Sequence, residues 1–219
     1  DYIKVLQGEA TGHAMITVDY SGQNSIVLYG GANQKIGSSQ IEETLQGFNP
    51  GDYILLQNEI SNLAAIIDAA CSKGMKIILN PSPMNEGLKA IDLKKVTYLI
   101  LNEIEAQDIT GETDQDRMLE SLLMKYPDLH IVLTLGAEGS IYKDHTQSFK
   151  QAAFQVKAVD TTAAGDTFTG YFFASLSKDK SIPEALLLAT KASAISVTRK
   201  GAEASIPNIL EVQEALKSR

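Results

Sequence analysis

Residues 53–79 read Tyr-Ile-Leu-Leu-Gln-Asn-Glu-Ile-Ser-Asn-Leu-Ala-Ala-Ile-Ile-Asp-Ala-Ala-Cys-Ser-Lys-Gly-Met-Lys-Ile-Ile-Leu and contain the pattern that decides the fold. Two short apolar runs, Tyr53–Leu56 and Lys76–Leu79, have the length of buried strands. Between them, apolar side chains recur at helical spacing, at Leu63, Ile66, Ile67, Ala70 and Cys71. Gly74 follows at a position where glycine commonly ends a helix. The stretch therefore predicts a strand–helix–strand unit.

The same alternation continues toward the carboxyl terminus. Two further apolar runs predict strands at Val96–Leu101 and Ile131–Leu135, and a terminal antiparallel hairpin is predicted for Gly139–Lys143 and Phe149–Val156. Helices are predicted from Asn102 to near Gly111 and over Asp116–Lys125, Asp166–Ser177, Pro183–Thr198 and Ile209–Leu216. Because strands that alternate with helices are typical of βαβ units, we expect an α/β fold with a mostly parallel sheet flanked by helices.

The start of the chain carries a different pattern. Two β-rich runs, over 13–20 and 25–29, surround the turn Ser21-Gly-Gln-Asn24 and predict a β-hairpin. We therefore expect a small hairpin segment in residues 1–35 and an α/β core in residues 36–219. The chain also opens at Asp1, without Met and directly in strand-like sequence, so we expect a fragment of a longer protein.

The composition limits the functional classes. The 219 residues include 19 Lys and Arg against 27 Asp and Glu, a net charge of −8, and so acidic a chain repels nucleic-acid phosphates and anionic membrane surfaces. No apolar stretch reaches the length of a membrane span. The single Cys71 excludes an internal disulfide, which fits the cytoplasm, and its place among helical apolar residues predicts a buried thiol.

The segment Val159-Asp-Thr-Thr-Ala-Ala-Gly-Asp-Thr-Phe-Thr-Gly170 carries the clearest chemistry. Small residues follow a strand-like run, and an amphipathic helix is predicted to begin near Gly165. Small side chains leave backbone N–H groups accessible, and a first helical turn offers unpaired donors at its positive end, so phosphate is the expected ligand. Asp166, in the same turn, can accept a proton from a hydroxyl group while those donors hold a transferring phosphoryl group. The alternative is that Asp166 only caps the helix.

Four motifs together resemble the ribokinase-like (PfkB) carbohydrate kinases. In chain order they are Asn102-Glu-Ile-Glu105, Thr134-Leu-Gly136 with Gly139, Asp160–Asp166, and Thr198-Arg-Lys-Gly-Ala202 with Ser205. The first matches the family's Asn-x-x-Glu, the second its nucleotide loop, and the third its carboxyl-terminal signature. The similarity extends over nearly the whole chain, and four motifs in the expected order are far more specific than one short pattern.

This resemblance implies a ribokinase-like fold and ATP-dependent phosphorylation of the primary hydroxyl of a sugar, in the first place ribose to ribose 5-phosphate. Asp166 would be the general base, and the backbone N–H groups of Ala163, Ala164 and Gly165 would form the anion hole. Glu59 lies where the family places a carboxylate that faces the sugar. Residues 36–219 would be the nucleotide-binding and catalytic core. The hairpin in residues 1–35 would be a partial lid whose strands pair between subunits in a homodimer.

The resemblance also implies ATP, Mg²⁺ and the monovalent activator K⁺ as cofactors. The nucleotide would contact Asn102, Thr134, Gly136, Gly139, Gly165 and Thr190. Asn102 and Glu105 would organise Mg²⁺ indirectly, together with the ATP phosphates. Oxygen atoms of six residues would hold K⁺: Asp160, Thr162, Ser196, Arg199, Gly201 and Ser205.

Two departures from the family pattern matter. Tyr171 stands where the family prefers Ala or Gly, and its larger volume puts the packing of the predicted helix in question. The family's early sugar-binding Asn-x-Asp and its Gly-Gly-rich segment belong upstream of Asp1, so the chain does not identify the sugar. Two alternatives to a ribose kinase stay open. One is a sibling kinase for fructose, a nucleoside or a deoxysugar; the other is a non-catalytic regulator that binds nucleotide or sugar.

Overall fold

The computed structural model describes residues 2–18 and 24–217 of the chain. The chain divides into two compact units, Asp1–Val96 and Thr97–Arg219. None of the helices in the described ranges is long and apolar enough to cross a membrane.

The first unit contains a β-hairpin followed by a strand–helix–strand unit. The hairpin strands β1 (His13–Val18) and β2 (Asn24–Tyr29) pair antiparallel, with His13 opposite Tyr29. The remaining elements are α1 (Ser38–Leu45), β3 (Tyr53–Gln57), α2 (Leu63–Ser72) and β4 (Lys76–Asn80). Strands β3 and β4 are parallel, which confirms the arrangement predicted from residues 53–79. Residues 21–23 of the predicted hairpin turn lie outside the described ranges.

Helix α2 buries one apolar face. Leu63, Ile66, Ile67 and Ala70 are buried, and α2 packs against β4, which explains why this sequence forms a helix over a strand. Gly74 follows with a φ of +72°, a left-handed conformation that favours glycine. The prediction of a buried Cys71 was wrong. This residue lies one position past Ala70, at the edge of the apolar face, and is exposed.

The second unit combines a four-stranded arrangement with helices in its described part, residues 97–217. Its strands are β5 (Tyr98–Asn102), β6 (His130–Thr134), β7 (Gly139–Lys143) and β8 (Ser148–Ala152). Its helices are α3 (Glu103–Thr110), α4 (Gln115–Lys125), α5 (Ala164–Leu176), α6 (Ile182–Ser196) and α7 (Ile209–Lys217). Strands β5 and β6 are parallel, whereas β7 runs antiparallel to both β6 and β8.

Helices α5 and α6 pack against each other and support the carboxyl-terminal part of this unit. Helix α5 buries Phe168, Phe172 and Phe173. Helix α6 buries small side chains, including Ala189 and Ala192. Small side chains on one helix leave room for large aromatic side chains on its neighbour, so the two helices approach closely.

Strand β8 is shorter than predicted. The prediction extended this strand to Val156, but it ends at Ala152. The physical reason is the register, because Ala152 lies opposite Gly139, the first residue of β7, and no residue of β7 is left to pair beyond it. The chain after Ala152 therefore leaves the strand ladder.

Tyr171 is accommodated where α5, α6 and α7 meet. Its Oη donates a hydrogen bond to the Pro207 carbonyl oxygen at 2.6 Å. Its ring packs against the buried cluster of Leu188, Ala192 and Val212. Burial raises the pKa of the Tyr171 hydroxyl. The large side chain thus joins three helices and does not obstruct α5.

We predict that Tyr171→Phe lowers the free energy of unfolding by about 1 kcal/mol, because Pro207 loses its donor while the ring keeps its packing. Tyr171→Ala should cost about 3 kcal/mol or more, because it also removes the ring. Urea unfolding of the three proteins measures both differences. A Phe variant as stable as the wild type would contradict the role of the hydroxyl.

Candidate active site

The first turn of α5 begins with an unusual backbone conformation. Ala163, the residue before the helix, has a φ of 59° and a ψ of 15°, in the left-handed region, and no side chain caps this end. The Ala163 carbonyl oxygen accepts hydrogen bonds from the Thr167 N–H at 2.9 Å and from Thr167 Oγ1 at 2.8 Å. The Ala164 N–H donates to the Thr161 carbonyl oxygen at 3.2 Å. Of the three predicted anion-hole donors, Ala164 is therefore already engaged in the turn.

A cavity of about 590 Å³ opens beside this turn, within the second unit. All six predicted nucleotide-binding residues line it: Asn102, Thr134, Gly136, Gly139, Gly165 and Thr190. Ala164 lines it as well. The structure thus brings residues from β5, β6, α5 and α6 to one concave surface, which is typical of a small-molecule site.

Much of the remaining wall is apolar and was missed by the sequence analysis. It includes Phe154, Val156 and Ala158. These residues lie in the stretch beyond Ala152, part of which was predicted as strand. On α6, Ser193 and Ala194 follow Thr190 at spacings of three and four residues and also line the cavity, as does Val197 directly after the helix.

Asp166 lies beside the cavity but does not line it. It is the third residue of α5 and is exposed. Its neighbour Gly165 does line the cavity. A carboxylate in a first helical turn is stabilised by the positive end of the helix. The turn therefore brings the Gly165 backbone to the cavity and a carboxylate to its edge, whereas Ala163 does not line the cavity.

Asn102 and Glu105 form a reciprocal cap at the start of α3. The Glu105 N–H donates to Asn102 Oδ1 at 2.9 Å, and the Asn102 N–H donates to Glu105 Oε2, also at 2.9 Å. Glu105 is buried, whereas Asn102 is exposed and lines the cavity. Both side chains thus have a structural role, a capping box that typically contributes about 1 kcal/mol.

The turn between β6 and β7 requires glycine. Gly139 has a φ of +111°, and a Cβ atom there would lie 2.0 Å from the Gln151 carbonyl oxygen. Gly136 also has a positive φ, +52°. Thr134, at the end of β6, donates through Oγ1 to the Leu101 carbonyl oxygen at 3.3 Å. The two glycines bring bare backbone to the cavity wall, where a phosphate group could approach closely.

Asp160 ties together two segments that the sequence analysis assigned to one cation site. Its Oδ1 accepts the Thr162 N–H at 2.9 Å, and its Oδ2 accepts the Gly201 N–H at 3.0 Å. These bonds, first the one from Gly201 and then those from Thr162, lower the pKa of the Asp160 carboxyl from its ordinary 3.8 to about 2. The loop before α5 is therefore fixed to the loop after α6.

The other predicted cation ligands have their own partners. Ser196 Oγ donates to the Ser193 carbonyl oxygen at 2.9 Å, and Ser205 Oγ donates to the Ala202 carbonyl oxygen at 2.7 Å; both serines are fully buried. The Arg199 guanidinium pairs with Glu211 at 2.7 Å. Any cation contact from Arg199 must therefore use its backbone oxygen.

The Thr190 hydroxyl is buried without a hydrogen bond to any described residue. Thr190 is 6% exposed, and its Oγ1 has no hydrogen-bond partner within the part of the chain that the structure describes. An unsatisfied buried hydroxyl typically costs about 1–3 kcal/mol. Because Thr190 also lines the cavity, a ligand there is the available partner.

Glu59 belongs to the first unit. It follows β3 by two residues and is exposed, and its carbonyl oxygen accepts a hydrogen bond from Gln34 Nε2 at 2.8 Å. This contact secures the backbone after β3. The structure thus places the predicted sugar-facing carboxylate on a loop whose backbone is held in place.

Comparison with known proteins identifies relatives over almost the whole chain. The profile of the pfkB family of carbohydrate kinases matches residues 1–209. A ribokinase of Schizosaccharomyces pombe is 36% identical over 222 residues, which cover 97% of this chain and 70% of that protein. A ribokinase of Haemophilus influenzae is 36% identical over 226 residues, which cover 99% of this chain and 72% of that protein.

Solved structures show the same fold. Thermotoga maritima ribokinase superposes with a TM-score of 0.81 and 34% identity, over 95% of this chain and 70% of that chain. Arabidopsis thaliana ribokinase, solved with ribose and ATP, superposes with a TM-score of 0.81 and 29% identity, over 96% and 70% of the two chains. The predicted fold class, an α/β fold whose mostly parallel sheet is flanked by helices, is confirmed.

We predict that the contribution of Asp160 to stability disappears in acid. A carboxyl whose pKa is lowered by folding stabilises the protein above its unfolded pKa and loses that effect as the pH falls through its folded pKa. For Asp160 this window runs from near its ordinary 3.8 down to about 2. The difference in unfolding free energy between wild type and Asp160→Asn should be constant above this window and shrink within it. Denaturant unfolding at a series of pH values measures it, and a difference that persists unchanged down to the folded pKa would contradict the role of the two hydrogen bonds.

Proposed function

The chain belongs to the pfkB family of carbohydrate kinases, and from this premise we propose that it transfers the terminal phosphoryl group of ATP to the primary hydroxyl of ribose, giving ribose 5-phosphate. The observation that carries this proposal is the first turn of α5, where Gly165 lines the cavity and Asp166 stands at its edge. The matches to ribokinases at about one-third identity support the choice of ribose.

In the proposed reaction Asp166 is the general base. Its carboxylate accepts the proton of the sugar hydroxyl as the hydroxyl oxygen attacks the terminal phosphorus of ATP, and the bond from that phosphorus to the bridging oxygen breaks to release ADP. Backbone N–H groups at the start of α5, with Gly165 foremost, hold the negative charge of the phosphoryl oxygens. The positive end of the helix adds to this stabilisation.

The nucleotide would occupy the cavity of the second unit. The apolar cavity wall at Phe154, Val156 and Val197 suits the flat base of the nucleotide. Asn102 and the turn that contains Gly136 and Gly139 suit its phosphates. The Thr190 hydroxyl would gain the partner that it lacks. The Cryptococcus neoformans ribokinase solved with ADP, at a TM-score of 0.85 and 31% identity, supports this assignment.

Asn102 and Glu105 fit an indirect role in Mg²⁺ binding. Mg²⁺ in phosphoryl-transfer enzymes keeps several waters and contacts one or two carboxylates together with substrate phosphates. Glu105 uses Oε2 in the cap, so its other oxygen is the candidate to hold a metal-bound water. The described residues contain no cluster of three acidic, His or Cys side chains that would form a complete metal cage. When bound, Mg²⁺ would neutralise charge on the ATP phosphates.

A K⁺ ion fits the region where Asp160 joins the two loops. Carboxylate and backbone oxygens are the ligands that hard cations prefer. Asp160 supplies a carboxylate whose pKa is well below neutral, and it holds together the Thr162 and Gly201 segments, whose backbone oxygens would be the further ligands. A cation there would hold the loop before α5, and with it the anion hole, in a fixed position.

The family resemblance supports roles for Glu59 and for the hairpin. We assign Glu59 as a sugar contact and the hairpin β1–β2 as a partial lid that pairs with a second copy of the chain. Met15 and Val27, which lie opposite each other in this hairpin, are each more than half exposed, which suits a face that a second copy covers. A second candidate function is a deoxysugar kinase, because a deoxyribokinase of Salmonella typhi is 29% identical over 224 residues, which cover 98% of this chain and 72% of that protein.

Asp166→Asn tests the general base. The amide keeps the shape of the side chain but cannot accept the proton, so kcat should fall on the order of 10²–10⁴-fold while ATP affinity is unchanged. A coupled ADP-release assay of the protein with ribose, deoxyribose, fructose and a nucleoside measures kcat, and calorimetric titration measures ATP binding. Asp116→Asn is the matched control, because Asp116 is an exposed carboxylate in the first turn of α4.

The activities with these four substrates also distinguish the candidate functions. Fastest turnover with ribose supports the proposal, and fastest turnover with deoxyribose favours the second candidate. No turnover with any sugar, although ATP still binds, would favour a non-catalytic regulator. An Asp166→Asn variant that keeps half of the wild-type kcat would exclude Asp166 as the base.

The K⁺ proposal predicts a higher kcat in potassium chloride than in sodium chloride at equal ionic strength. The advantage should vanish in Asp160→Asn, because that variant lacks the carboxylate that joins the two loops. Asp116→Asn again serves as the control and should keep the salt dependence of the wild type. Identical rates of the wild type in the two salts would refute the proposal.

A further inference from the structure

Ser193 connects the nucleotide cavity to the first turn of α5. It lies on α6, lines the cavity and is half-buried. Its Oγ donates a hydrogen bond to the carbonyl oxygen of Ala164 at 3.0 Å, across 29 positions of sequence. Ala164 is the first residue of α5, so this bond joins one helix to the start of another.

The bond does not compete with the helix. A carbonyl oxygen has two lone pairs, so Ala164 can accept both from the helical ladder and from Ser193. Two hydroxyls of α5 bond to the residue four positions earlier, Thr167 to the Ala163 carbonyl oxygen at 2.8 Å and Ser175 to the Tyr171 carbonyl oxygen at 2.7 Å. The Ser193 hydroxyl instead reaches the adjacent helix.

The turn that it reaches needs external support. Ala163 is a left-handed residue other than glycine and costs about 1–2 kcal/mol, and no side chain caps the helix there. The bonds from Thr167 and Ala164 hold the turn only to its own segment. Ser193 fixes it relative to α6, whose face at Thr190 and Ala194 forms part of the cavity wall.

We propose that Ser193 is a positioning residue for phosphoryl transfer. It holds the first turn of α5, whose backbone would form the anion hole, in a fixed position relative to a nucleotide bound against α6. This inference rests on the proposed kinase activity. A displacement of the Gly165 N–H by a few tenths of an ångström weakens hydrogen bonds that form fully only in the transition state. The loss then falls on kcat, because ground-state binding of the nucleotide depends on the rest of the cavity wall.

Ser193→Ala should therefore lower kcat about three- to tenfold, the range expected for one neutral hydrogen bond, with ATP affinity within about twofold of the wild type. Ser193→Thr keeps the hydroxyl and should recover most of the rate. Ser175→Ala is the matched control, because it removes a buried hydroxyl from α5 whose bond stays within the helix. Thermal melting of each variant verifies that it is folded.

Amide hydrogen exchange of residues 164–168 gives a readout that is independent of catalysis, and exchange there should be faster in Ser193→Ala than in the wild type. Three results in an active enzyme would overturn the inference: unchanged kcat and exchange in Ser193→Ala, a rise in KM for ATP with kcat unchanged, or an equal loss of rate in Ser193→Thr. A wild-type protein that phosphorylates no sugar would instead overturn the proposed function. The exchange experiment would then still decide whether Ser193 holds the turn.

Discussion

The left-handed backbone of Ala163 is the constraint on which the candidate active site depends. This conformation turns the chain from the loop at Asp160 into α5 within a few residues, and it is held there without glycine. A strained residue persists only where its surroundings over-determine it. Here Thr167 bonds twice to the Ala163 carbonyl, and Ser193 bonds to the next one. The result is a rigid helix start that faces a cavity.

The parallel pairing of β5 and β6 places the other side of the site. Asn102 and Thr134 lie opposite each other in the register, each as the last residue of its strand. Because the carboxyl ends of parallel strands meet at one edge of a sheet, both residues line the same cavity. The capping box that starts α3 and the glycine turn that starts β7 then direct the chain away from this edge and leave it open.

The sequence predicted most of the helices and strands and six of the residues that line the cavity, since apolar spacing and short motifs are local signals. It gave no bounds for α1, an eight-residue helix in which only Ile41 and Leu45 are buried. It extended β8 too far, because the strand ends for lack of a partner beyond Gly139, which is a fact of register. The wall formed by Phe154 and Ala158 was missed for the same reason. No local pattern indicates the hydrogen bond from Ser193 to Ala164, because it joins residues 29 positions apart.

Charge explains why the backbone carries so much of the proposed chemistry. The chain has a net charge of −8, and the described residues that line the cavity include no Lys or Arg. A polyphosphate held there must rely on N–H groups, helix ends and accompanying cations. Such donors act only when their geometry is fixed, since they cannot follow the ligand as a flexible lysine does. The Asp160 bridge and the Ser193 bond, which hold the α5 turn in place, therefore support the proposed phosphate site as well as the fold.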